Sequence, residues 1–315
     1  MRRALIHSGE LQALLHEGVT GVTSNPSIFE KAIAGSADYD EAIRELAGLA
    51  YSDEQIYESL VLEDIQRAAD LLRHTYETTN GLDGYVSLDV SPMLAHDTAG
   101  TIAAARRLFA ALARRNVMIK VPATPAGIPT IETLISEGIN VNVTLIFSLS
   151  HYEAVAKAYL AGLEKRAANG GDLSRVASVA SFFISRVDTA VDEQLAAIGH
   201  TDLQGKTGIA NAKVAYGRFW QIFSDPRWQA LAEKGAQVQR PLWASTGTKN
   251  PAYPDILYVD QLIGPDTVNT VPPATLTAFH RHGTVAAPLG KNLVEGADQL
   301  AWLAALGIDL KAITQ

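Results

Sequence analysis

Lys120 stands where a lysine has least reason to be. It is the one charged residue in Val117-Met118-Ile119-Lys120-Val121-Pro122, an apolar, β-branched run that reads as a buried strand closed by proline. Burying an unpaired ammonium is costly, and a lysine forced into hydrocarbon usually lowers its pKa. The neutral amine that results is a nucleophile, able to condense with a carbonyl compound. The plainer reading is a strand-end lysine whose stem lies on apolar surface while its charge reaches water. Other residues decide between the two.

Side chains alternate faces along a strand, so polarity of period two reports which face looks inward. In the strand predicted over 139–146, Asn140, Asn142 and Thr144 share a face, and Val141, Val143 and Leu145 share the opposite one. The same alternation groups Ser87, Asp89 and Ser91, pairs Met118 with Lys120, pairs Thr23 with Asn25, and pairs Ser181 with Phe183. An internal hydrogen-bond layer would account for the amides and hydroxyls alone. An acid, a lysine and several carbonyl-binding groups converging at strand ends fit imine catalysis better. A lysine imine withdraws electrons, so a carbon–carbon bond one position away can break or form. Asp89 would move the protons of the carbinolamine through a water oriented by Thr144. Asn25 and Asn142 would hold substrate hydroxyls in line.

A phosphate site would complement this set. The loop Ser245-Thr246-Gly247-Thr248-Lys249 follows the penultimate predicted strand, where barrels often bind phosphate through loop amides. Lys249 and Arg186 could neutralise its charge, Arg186 as a fork. A solvated turn with a surface arginine is the competing reading. Two other patterns lead nowhere. Gly199 and Gly205 are too far apart for a P-loop before Lys206-Thr207, which reads as a helix start. His280 and His282 lie two apart with no third ligand in view, so no metal is expected.

Strands and helices alternate to position these residues. Helical spacing covers 2–17, 28–50, 51–79, 101–115 and 128–137, a long stretch from 150 to about 169, and another over 206–234. Ser52 with Gln55, and Ser150 with Glu153, read as capping boxes. Strands are predicted near 21–25, 85–92, 117–122, 139–146, 177–184, 240–247 and 267–271. The alternation implies a parallel sheet with right-handed crossovers, closing into a (β/α)8 TIM barrel. Seven strands are one short of that closure, and the gap falls ahead of the first helix. Either one strand escapes this reading or the chain lacks it, and residues 1–315 read as a single barrel domain.

At 315 residues, 47% hydrophobic and 19% charged, the chain can bury the core a barrel needs. A net charge of −8 argues against general nucleic-acid binding while leaving room for a local cationic pocket. The absence of cysteine excludes disulfides, thiolate metal sites and thiol nucleophiles. No apolar run reaches membrane-span length and no leader opens the chain, so cytoplasm is the default location.

With these residues in place, the chain resembles transaldolase, in particular the longer bacterial type sometimes fused to phosphoglucose isomerase. The matching stretches are GVTSNPSI at 21–28, YVSLDVSP at 85–92, MIKVPAT at 118–124, INVNVTLIF at 139–147, ASFFISR at 180–186 and ASTGTKN at 244–250. The resemblance implies a class I aldolase barrel that moves a dihydroxyacetone unit from a ketose phosphate to an aldose phosphate, without metal or organic cofactor. It implies Lys120 as the Schiff-base lysine and Asn25, Asn142, Thr144 and Ser181 as substrate- and water-binding positions. It makes Phe183 a pocket wall, and places Arg186, Ser245 and Lys249 at the phosphate. Sugar phosphates are the expected partners, with a homodimer and a fusion or association with phosphoglucose isomerase as further expectations. Two departures stand out. Asp89 replaces the glutamate of the family's strand, and the family's first strand, which carries an acid/base aspartate, has no counterpart here; set against the family, the amino-terminal strand and the carboxyl-terminal end of this sequence read as truncated, with two unpaired sheet edges. A fructose-6-phosphate aldolase-type lyase and a catalytically impaired sugar-phosphate binder are the alternative readings.

Overall fold

A computed structural model describes residues 2–291 and 293–314. Among these, seven strands form one parallel sheet in chain order: β1 (Gly21–Thr23), β2 (Tyr85–Asp89), β3 (Val117–Pro122), β4 (Val141–Ile146), β5 (Ser178–Phe183), β6 (Arg240–Ala244) and β7 (Val268–Asn269). The sheet curls, because one cavity takes its walls from the end of β1, at Thr23–Asn25, round to Thr270 just past β7. Among the described residues no pairing joins β7 to β1, so the sheet is a partly closed barrel with both terminal strands as edges. It has the seven strands predicted.

Alternation sorts the side chains as expected. Outward, Val86, Leu88, Val117, Ile119, Val121, Val141, Val143, Phe182 and Trp243 pack against the helices in the main core. Inward, the lower part is filled by Tyr76, Tyr85, Met118, Val179 and Leu242, with the Tyr76 and Tyr85 rings edge to face at 5.4 Å. The barrel is thus plugged below and polar above, where the strands end. Register carries the polar layer from strand to strand. Asp89 pairs with Lys120 and Lys120 with Asn142, which sets three polar side chains in one row across β2, β3 and β4.

Several helix boundaries differ from the sequence reading, each for a local reason. The stretch 2–17 is two helices, Arg3–His7 and Glu10–His16, parted at Gly9, whose φ of 76° no helix accommodates. The 28–50 stretch breaks at Ser36, extended at φ −143°, whose hydroxyl accepts from the Asp38 amide. Pro26 opens the first of its helices, Pro26–Gly35. The capping box of Ser52 and Gln55 is formed, opening Asp53–Thr78. The helix Leu149–Ala168 is instead capped by Ser148, which accepts from the His151 amide, so Ser150 is not the cap. Asp225 and Pro226 divide the 206–234 stretch into Thr207–Ile222 and Pro226–Ala232. A further helix, Ser185–Ala197, had no prediction. Near the amino terminus, Arg3 is buried against Asp64, its Nε donating to Oδ1 at 2.8 Å while the Tyr39 hydroxyl donates to Oδ2, also at 2.8 Å. This pins the first helix to Asp53–Thr78.

Candidate active site

At the carboxyl ends of the strands lies an open cavity of about 230 Å³. Its walls include Asn25, Lys120, Asn142, Thr144, Ser181, Phe183, Arg186 and Ser245. Lys120 reaches it from the middle of the floor, its side chain 11% exposed. Nζ donates to the carbonyl of Ser24 at 3.0 Å and sits 3.1 Å from Asp89 Oδ1. The lysine therefore points inward with two partners, and the snorkelling reading is set aside. Burial, offset only in part by the positive charge of Lys120, holds the Asp89 carboxyl above the usual carboxylate range. Its Oδ2 is buried and makes no hydrogen bond.

A polar relay supports the floor. Ser181 Oγ donates to Asn142 Oδ1 at 2.7 Å, and Asn142 Nδ2 donates to Ser87 Oγ at 3.0 Å. Asn142 is thereby locked in one orientation. Ser24 Oγ in turn donates to the Ser87 carbonyl at 2.8 Å, which fixes the backbone that holds the lysine. Thr144 is 8% exposed and lines the cavity two residues on from Asn142. Asn25 caps the helix Pro26–Gly35, its Oδ1 accepting from the Ile28 amide at 2.9 Å, so its contribution to a ligand is the amide nitrogen.

Three residues of the alternation, two polar and one apolar, stand elsewhere. Asn140 donates to the carbonyls of Arg115 and Val117 and accepts from the Ala177 amide, a clamp between strand starts with no donor left for a ligand. Ser91 is exposed and caps a short 3-10 turn, Pro92–Leu94. Leu145 is 41% exposed and does not pack on the helices. The register of β4 against β5 shifts between Val143 and Ile146, and Leu145 takes a left-handed φ of 61°. Such a bulge beside a site re-aims the neighbouring side chain, here Thr144.

The other side of the cavity is cationic. Arg186 belongs to the first turn of Ser185–Ala197, its guanidinium 5.2 Å from the centre of the Phe183 ring. Ser245 has a left-handed φ of 58° and meets that same turn twice, Oγ to Ser185 Oγ at 2.8 Å and its carbonyl accepting from the Ser185 amide at 3.1 Å. Lys249 is exposed and lies outside the residues that line the cavity. The two histidines form no pair: His282 lies 2.9 Å from Asp255 and His280 faces Glu17, both on the surface. Sequence reasoning did not single out Ser24, Leu242, Ala244 or Thr270, all at the cavity. Ser24 acts through its backbone carbonyl, for which the residue type gives no signal.

Behind Arg186, Asp188 and Asp192 tie its helix to neighbouring elements. Asp188 Oδ1 accepts from the Gly208 amide at 2.6 Å, and Asp192 accepts from the Gly205 amide and the Tyr253 hydroxyl. Burial pushes the Asp188 carboxyl up to about 6, with the charge of Asp192 adding to the rise and the Gly208 amide opposing it. A folded-state pKa raised above the unfolded value of 3.8 means the native protein binds the proton more tightly. The stabilisation is full below about pH 4 and is lost as pH rises through about 6. Asp188→Asn keeps an acceptor for Gly208 and removes the buried charge. It is expected to raise stability at pH 7 by about 2–3 kcal/mol and to leave the parent ahead of it by nothing below pH ~4. Thermal melts of both proteins across this range measure it, and a constant offset at all pH values would show that another group titrates.

A parallel α/β barrel with a buried lysine in a polar cavity at its strand ends defines an enzyme of the class I aldolase type. Residues 2–315 match the family model described as Transaldolase/Fructose-6-phosphate aldolase. A Nostoc sp. protein named Transaldolase 2 is 49% identical over 328 residues, covering 99% of this chain and 86% of that one. A transaldolase of Neisseria gonorrhoeae is 51% identical over 313 residues, covering 99% and 88%. One from Saccharopolyspora erythraea is 50% identical over 313 residues, covering 98% and 85%. The chain belongs to the transaldolase/fructose-6-phosphate aldolase family, and it is a transferase.

Proposed function

We propose that this enzyme transfers a dihydroxyacetone unit from a ketose phosphate to an aldose phosphate through an imine on Lys120. Sedoheptulose 7-phosphate or fructose 6-phosphate would be the donor, glyceraldehyde 3-phosphate or erythrose 4-phosphate the acceptor, as in the pentose phosphate pathway. The observation that carries this reading is the Lys120 amine, inside the cavity and within 3.1 Å of the Asp89 carboxylate. Nζ adds to C2 of the ketose, the carbonyl oxygen leaves as water, and the iminium forms. The C3–C4 electron pair then moves into the iminium. The C4 hydroxyl gives up its proton through the water shared by Asp89 and Thr144, and the aldose phosphate departs. The enamine attacks the acceptor aldehyde, whose oxygen takes a proton, and water releases the new ketose. Asn25, Asn142 and Ser181 hold the hydroxyls, Phe183 walls the pocket, and Arg186 with Ser245 takes the phosphate. The imine is its own electron sink, so the reaction calls for no metal or organic cofactor.

The relatives' names favour transfer over simple release. The test is fructose 6-phosphate consumption with and without erythrose 4-phosphate. Consumption that depends on the acceptor supports transfer, and equal consumption without it supports a lyase. Among the described residues no helix is long and apolar enough to cross a membrane. A cytoplasmic location, a homodimer and an association with phosphoglucose isomerase are parts of the same proposal.

A further inference from the structure

Arg186 lines two cavities. Besides the one above, it borders a second of about 210 Å³, together with Phe147, Val187, Ile313 and Thr314. Arg186 thus borders open space in both. Among the described residues it has no hydrogen bond or ion pair, and it lies over the face of Phe183, 5.2 Å from the ring centre. A long side chain held this lightly has alternative rotamers, and the second cavity offers them room. What braces the ring it rests on is Phe147, whose own ring lies 5.1 Å from that of Phe183 on a 43° tilt. Phe147 is fixed in turn. Its carbonyl accepts from Asn211 Nδ2 at 2.8 Å, and its ring packs in an apolar cluster with Val187, Val191, Leu310 and Ile313. Leu310 and Ile313 belong to the last helix, Leu310–Thr314, so this cluster connects the far carboxyl end to the cation of the phosphate site.

We propose that Phe147 is a positioning residue for Arg186: by bracing Phe183 and walling the second cavity, it holds the guanidinium toward the first and so sets affinity for the phosphate end of the substrate. This rests on the assignment of Arg186 to the phosphate. Shortening Phe147 removes the ring behind Phe183 and enlarges the space into which the guanidinium can turn. The loss falls on phosphate binding and leaves the chemistry at Lys120 alone. A role in packing alone would lower stability and nothing else.

The test is steady-state kinetics on Phe147→Leu with fructose 6-phosphate, alongside competitive inhibition by inorganic phosphate. KM and the inhibition constant for phosphate are expected to rise together by about fivefold, with kcat within about twofold of the parent. Ile313→Ala, which opens the second cavity from its opposite wall, is expected to shift both constants in the same direction by a smaller factor. In an Arg186→Gln background, Phe147→Leu should add nothing, because its effect runs through the guanidinium. Unchanged KM and inhibition constants in Phe147→Leu and Ile313→Ala would overturn the proposal, as would an undiminished effect in the Arg186→Gln background. If Arg186→Gln by itself moves neither constant, the phosphate assignment fails first. If it moves both while the other two variants move neither, only the role of Phe147 fails.

Discussion

Lys120→Arg is expected to leave a folded protein with less than about one ten-thousandth of the parent's transfer rate. Arginine preserves the charge that faces Asp89 Oδ1 and can still donate to the Ser24 carbonyl, so neither neighbour is left as an unpartnered buried group. What it cannot do is lose its proton, since a guanidinium remains charged at any pH the fold survives. No free electron pair is then available for the substrate carbonyl. Removal of a covalent nucleophile eliminates the whole route, whereas loss of a binding contact scales the rate by its own energy. Rate measurements on purified protein, with a melt to confirm folding, decide this. Residual turnover within about tenfold of the parent would mean that the carbon–carbon bond is broken without this amine.

Asp89→Asn is expected to cut kcat by about a hundred- to ten-thousandfold while leaving KM for the ketose phosphate close to the parent value. Asp89 is absent from the cavity wall and touches the lysine, so in the proposed mechanism it transfers protons and balances charge at Nζ and does not grip the substrate. The working species is the carboxylate. Burial raises its pKa, so activity in the parent falls on acidification at a pH above the ordinary aspartate range. The fall follows the direction of the shift: the carboxylate is present above the raised value and lost below it. In Asp89→Asn that acid limb disappears, and the small remaining rate loses its dependence on this group. A kcat–pH profile of both proteins checks the point, and an unchanged acid limb in the variant would assign the titration elsewhere.

Much of the site could be read from period-two polarity in short strands. Lys120, Asn142, Thr144 and Ser181 were placed inward by alternation, and parallel register then aligned Asp89, Lys120 and Asn142 without further assumption. The rule failed where the backbone departs from a regular strand. Leu145 escaped because a one-residue bulge reverses its face, and Ser91 because β2 ends at Asp89. Asn140 shows a different limit. Alternation groups it with Asn142 and Thr144, but its amide is consumed by three backbone groups at the bottom of the sheet. Ser24 holds the Lys120 amine through a carbonyl every residue possesses. The helix Ser185–Ala197 carries Arg186 and was missed because a strand ending in Phe183 runs into it with a single residue between. The curvature that brings Arg186 and Ser245 across the cavity from Lys120 is a property of the whole sheet, which no local pattern encodes.

Asp89 also shows how one side chain changes a site's balance. Its carboxylate contacts Nζ directly, so the pair is formed before any substrate enters. Attack on a ketone therefore requires the amine to turn from Oδ1 and the Ser24 carbonyl toward C2, with its proton left on the carboxylate or passed to water. The raised affinity of Asp89 for a proton suits that exchange.

The most direct measurement is to mix the protein with fructose 6-phosphate, reduce with borohydride, and locate the added mass by peptide mapping. A stable adduct on the peptide containing Lys120, absent from Lys120→Arg, is the result expected. No adduct under turnover conditions, or an adduct on a different lysine, would contradict the central claim.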